Sequence, residues 1–183
     1  MASDQIYLGN PLLKKANVEQ EFTKKQVEQY IKCKEDPIYF VKNYVKIVSL
    51  DEGLVPFKMW DFQEDIITKF HNSRFNIAKL PRQTGKSTTV VSYLLHYALF
   101  NDSVNIGILA NKASTARDLL GRLQTAYENL PKWIQQGVIS WNKGSMELEN
   151  GSKILAASTS ASAVRGMSFN IIFLDEFAFV PNH

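Results

Sequence analysis

Residues 75–87 read Phe75-Asn76-Ile77-Ala78-Lys79-Leu80-Pro81-Arg82-Gln83-Thr84-Gly85-Lys86-Ser87, a short apolar run passing through a glycine–lysine turn into a helical pattern that reaches Phe100. Glycine at such a turn lets the backbone come close to an anion, and the N–H groups opening the next helix point at it. A lysine adds a point charge, and the serine hydroxyl offers a hard oxygen to a metal ion. The last three residues fit the end of G-x-x-x-x-G-K-[ST], the phosphate loop, in the strand–loop–helix setting that loop requires. The first glycine of the pattern is replaced by Leu80. Leu80, Pro81, Arg82, Gln83, Thr84, Gly85, Lys86 and Ser87 are therefore the candidate nucleotide-binding residues, and residues 75–80 are predicted to be the strand that carries them.

A strand–loop–helix unit commits the chain to an α/β architecture, and the remaining pattern agrees. Strands are predicted over residues 104–110, 138–141, 146–149, 153–157 and 170–174, with a helix over 113–130. Asn150-Gly151 marks a hairpin between two of the strands. Strands alternating with helices predict a doubly wound parallel sheet with an inserted hairpin. Ahead of it, Thr23-x-x-Gln26 is a capping-box pattern and Asp36-Pro37 an N-cap followed by proline at the first helical position. Val41, Tyr44, Val45 and Val48 are spaced as one helical stripe, and a further helix is expected over about 60–70. Residues 1–17 lack periodicity and read as an extended arm. The division is a helical preface over residues 1–55 and an α/β domain over 56–183.

A chain of 183 residues is long enough to bury a real core. No apolar run approaches the length of a membrane span. The single cysteine, Cys33, excludes an internal disulfide and a cysteine-cluster metal site. Net charge is only +3, compatible with nucleic-acid binding without requiring it. Lysines concentrate in the first 50 residues, where solvated helix faces account for them. His71, His96 and His183 lack metal-ligand spacing, and Trp60, Trp133 and Trp141 read as core aromatics.

A second element answers the first. Ile171-Ile172-Phe173-Leu174-Asp175-Glu176 is an apolar strand that ends on two carboxylates. Buried carboxylates are costly unless something engages their charge, and ligands of open α/β sheets sit at strand C-termini. Asp175 suits a magnesium shell, and Glu176 suits orienting and deprotonating an attacking water.

The loop Arg82-Gln83-x-Gly85-Lys86-Ser87, with arginine inside and no leading glycine, resembles the phosphate loop of tailed-phage large terminases. So do Leu174-Asp175-Glu176-Phe177-Ala178-Phe179-Val180-Pro181-Asn182, Gly107-Ile108-Leu109-Ala110, Trp141-Asn142-Lys143-Gly144-Ser145 and Ala163-Val164-Arg165-Gly166, especially in the contractile-tailed type. The resemblance runs from about Tyr7 to Asn182. It implies a RecA-like P-loop ATPase using ATP and Mg2+ to drive double-stranded DNA into a procapsid. Its partners would be the portal protein, the small terminase subunit and further copies of itself, in the host cytoplasm at the portal vertex. It also implies that Gln63 reads adenine, that Arg82 senses the γ-phosphate in cis, and that Arg165 serves the neighbouring subunit's site. The family's coupling motif and nuclease domain would follow His183. The chain is accordingly expected to be the N-terminal ATPase segment, ending after the Walker B strand, weak or inactive alone and prone to self-association. Two other readings fit the same residues: a superfamily 2 helicase-like DNA-remodelling ATPase, and a nucleotide-binding fragment without turnover.

Overall fold

Local capping chemistry sets the helical preface. In this computed structural model, which describes residues 5–49, 51–160 and 166–176, the Thr23 hydroxyl accepts from the Gln26 N–H and the Gln26 amide accepts from the Thr23 N–H. This reciprocal pair opens α1 (Lys24–Glu35) and satisfies two helix-end donors that otherwise lack partners. Asp36 does the same for α2 (Pro37–Tyr44), accepting from the N–H groups of Ile38 and Tyr39 at 2.8 and 3.0 Å.

The helix ends earlier than its spacing predicts. Val45 closes α2, and Val48 lies instead in β3 (Lys46–Ser49), 67% exposed and paired antiparallel with Leu54 of β4 (Gly53–Pro56). Val45, Ile47 and Val48 are β-branched, and crowding at their Cβ atoms favours extended backbone over a further helical turn. The arm is likewise no simple extended segment. β1 (Ile6–Tyr7) and β2 (Asn10–Lys14) pair through a turn at Leu8 and Gly9, both at positive φ.

The rest comprises α3 (Asp61–Asn72), α4 (Lys86–Phe100), β5 (Asn105–Ala110), α5 (Ala113–Glu128), β6 (Val138–Trp141), β7 (Ser145–Leu148), β8 (Lys153–Ser158) and β9 (Ile171–Asp175). The five-stranded sheet runs β6-β7-β8-β5-β9. β8, β5 and β9 are parallel, while β6, β7 and β8 form an antiparallel meander turning on Gly151 at φ 80°. The sheet is therefore mixed rather than purely parallel.

One expected strand is absent. Residues 75–80 form no strand and pair with none among the described residues, and Phe75 and Ile77 are 84% and 100% exposed. An apolar run specifies extended backbone and burial; only a neighbour that takes its ladder hydrogen bonds makes it a strand. Here the edge of the sheet is β9.

The core is continuous from preface to sheet. Phe40 and Val41 of α2, Leu94, Leu95 and Leu99 of α4, Ile106 and Ile108 of β5, and Leu120 and Leu123 of α5 belong to one buried cluster. Each such side chain contributes roughly 1.5–3 kcal/mol by leaving water. Trp133 and Trp141 pack against this core, but Trp60 does not: it is 59% exposed and stacks on Phe62. Among the described residues no helix is long and apolar enough to cross a membrane.

Candidate nucleotide site

The glycine–lysine turn folds as its residue types require. Gly85 is the N-cap of α4 in the left-handed region, φ 70° and ψ 12°, and has no side-chain cap, so the first-turn donors of α4 have no side-chain acceptor at the helix end. Gln83 also sits at positive φ, 62°, a conformation a non-glycine residue holds only when its surroundings impose it. Several bonds impose it here. The Thr84 hydroxyl donates to the Pro81 carbonyl at 3.0 Å, and the Gly85 carbonyl accepts from both the N–H and the hydroxyl of Thr89 at 2.9 and 3.1 Å.

Gln63 supplies a further tie. It is 2% exposed, its Oε1 accepts from the Trp60 N–H at 3.0 Å, and its Nε2 donates to the Thr84 carbonyl at 3.0 Å. A Cβ at position 85 would lie 2.6 Å from that Nε2. Glycine is thus required at this point for its φ, and its lack of a Cβ leaves room for the Gln63 amide. Arg82 and Gln83 are exposed, whereas Leu80, Lys86 and Ser87 are half-buried.

β9 delivers the acidic pair. Its register against β5 sets Asp175 beside Ala110 at the C-terminal end of the parallel strands, where open α/β sheets collect ligands. Asp175 is buried. Burial pushes its carboxyl above the usual carboxylate range, and the neighbouring Glu176 charge adds to the rise, while Lys86 and Arg122 pull the other way. Lys86, at the glycine–lysine turn, is thus among the charges felt by Asp175 at the end of β9. Glu176 is exposed and at φ 52°.

Ser87, in the first turn of α4, and Asp175, at the end of β9, each offer a hard oxygen donor. That suits magnesium, which takes one or two protein oxygens and completes its shell with phosphate and water. No group of three or more His, Cys, Asp or Glu side chains converges among the described residues.

Of the residues singled out in the sequence, Gln63, Thr84 and Gly85 are in direct contact, and Lys86 and Asp175 interact through space. Arg165 and residues 177–183 lie outside the described residues. Arg122 was not foreseen, because an exposed arginine on an amphipathic helix carries no signal that separates it from a solvated face.

The family described as "Terminase large subunit, T4likevirus-type, N-terminal" matches residues 77–183. The crystal structure of the HK97 bacteriophage large terminase superposes with a TM-score of 0.64 at 19% identity, covering 77% of this chain and 30% of that one. At that identity the likeness is one of fold, and the chain spans about a third of the matched protein's length.

Proposed function

Because this chain belongs to the T4-type large terminase family through that family's N-terminal region, we propose that it is the ATP-binding and ATP-hydrolysing segment of a viral DNA-packaging motor. What supports this reading is placement: Gly85 turns at φ 70° into Lys86 at the head of α4, and β9 ends on Asp175 beside Ala110 at the C-terminal end of the parallel strands. We read β8, β5 and β9 with α4 and α5 as the core of a RecA-like, doubly wound P-loop fold.

The roles follow from the chemistry of each group. The Gly85 N–H and the first turn of α4 cradle phosphate oxygens, and Lys86 sets its charge on the β- and γ-phosphates. Ser87 and Asp175 would hold Mg2+, which would supply charge neutralisation to the phosphates during transfer. Glu176 accepts the proton of the attacking water, and its left-handed backbone is the kind of local strain that clusters at functional sites. Arg82, exposed on the loop, is free to reach the γ-phosphate, and Arg165 is assigned to a neighbouring subunit's site. In the assembled motor the partners are double-stranded DNA, the portal protein, the small terminase subunit and further copies of this chain, at the portal vertex in the host cytoplasm.

Two substitutions test the roles. Lys86→Ala is expected to weaken ATP binding about 10- to 100-fold, the worth of one charge-assisted contact. Glu176→Gln should leave binding within about twofold and lower phosphate release by about 10²–10⁴. Calorimetric titration beside a phosphate-release assay separates the two, and an equal loss of binding in both variants contradicts the assignment. Wild-type binding without any phosphate release would favour the reading of a nucleotide-binding fragment without turnover.

A further inference from the structure

Both ends of the Gln63 amide are engaged inside the protein. Its oxygen accepts from the Trp60 N–H, where it completes the N-terminal cap of α3, and its nitrogen donates to the Thr84 carbonyl. At 2% exposure it presents no free edge to solvent. The peptide between Thr84 and Gly85 is trans, as every described peptide is, so its C=O and N–H point in opposite directions. Anchoring the Thr84 carbonyl toward α3 therefore turns the Gly85 N–H away from α3, outward from the loop. Nothing else among the described residues bonds that carbonyl. The preceding segment, residues 76–80, makes no ladder that would steady the loop from its N-terminal side.

We propose that Gln63 is a positioning residue for the phosphate loop: it clamps the Thr84–Gly85 peptide so that the Gly85 N–H faces a polyphosphate, whatever base that polyphosphate carries. This rests on the phosphate-loop reading above and differs from base recognition in what it predicts. A clamp affects every ligand that contains the triphosphate. A base reader affects only ligands with adenine.

The test is titration of the full chain with ATP, GTP and inorganic tripolyphosphate, each with magnesium. Gln63→Leu keeps a side chain of similar bulk but has no polar atom to tie either the Trp60 N–H or the Thr84 carbonyl. Gln63→Met preserves volume and removes both bonds. Each variant is expected to lose about tenfold in affinity for all three ligands alike, the worth of one hydrogen bond. Loss for ATP with tripolyphosphate binding unchanged overturns the proposal and establishes base reading. A measurement on the unmodified chain covers the case in which neither variant folds. Exchange of the Gly85 amide should slow as much with tripolyphosphate as with ATP, and slowing by ATP alone overturns the clamp. If the unmodified chain binds none of the three ligands, the phosphate-loop reading itself fails, an outcome distinct from failure of the clamp.

Discussion

His96 sits on α4 with its ring against Phe40, Phe100 and Tyr93, and its Nε2 lies 2.7 Å from the Cys33 carbonyl. A carbonyl only accepts, so Nε2 carries the proton and Nδ1, buried without a partner, does not. Burial is the main cause that lowers the His96 pKa from 6.5 to about 4; the nearby His71 charge adds to it, and the Cys33 carbonyl and Asp36 oppose it. The unfolded chain therefore takes up a proton near pH 6.5 that the folded chain refuses until about pH 4. Stability should be complete above pH 6.5, fall as pH drops through that window, and level off below it. The loss is roughly 3 kcal/mol, readable as the urea midpoint at several pH values. His96→Phe should flatten that slope; an unchanged slope assigns the acid sensitivity elsewhere. At this scale the glycine–lysine turn into α4 was legible because its signal lies in neighbouring residues. The engagement of Gln63 was not, since its partner is a backbone carbonyl 21 positions away that no side-chain pattern announces.

Elements whose signals are local came through the same way. The Thr23–Gln26 box and the Asp36-Pro37 cap each act within four residues, and both stand where the sequence puts them. The two small hairpins were missed because β3 satisfies helical spacing as well as alternation, and the Leu8-Gly9 turn lacks the usual Asn-Gly pair. The β1–β2 hairpin depends on contacts from far along the chain. The buried Gln135 amide accepts from the Lys14 N–H and donates to the Leu12 carbonyl, while Glu149 accepts from the N–H groups of Asn17 and Gly137 and pairs with Lys14. Gly137 provides the seat: a Cβ there would stand 2.4 Å from the Ala16 Cα and 2.7 Å from the Lys15 carbonyl oxygen. Backbone cannot rotate away as a side chain can, so Gly137→Ala should release the hairpin at a cost of about 1–3 kcal/mol. Amide exchange should then speed up over residues 5–17 while the amides of α4 and β5 stay protected. Uniform loss of protection would mean that the hairpin is integral to the core.

For the molecule as a whole, the asymmetry of the sheet matters most. β6 is bridged in parallel by Lys15 of the N-terminal arm, but β9 has a strand on one side only among the described residues. Ile172 and Leu174 on its face are 51% and 40% exposed. A parallel edge with an open apolar face is a template for pairing with another chain. Self-association of this chain should therefore rise with concentration, and Ile172→Lys should shift it toward monomer in sedimentation velocity; indifference to that substitution would place the contact elsewhere. Sequence alone could not have located this edge, because the apolar run 75–80 and the apolar run of β9 read alike until pairing distinguishes them. The opposite edge has a history of its own. Asn17 is held by a carboxylate 132 positions further along, so during synthesis at about 5–20 residues per second the arm waits about 7–26 s for its anchor to be made. The arm is thus fastened only by residues made long after it, and until then it is a loose tether available to proteases and chaperones.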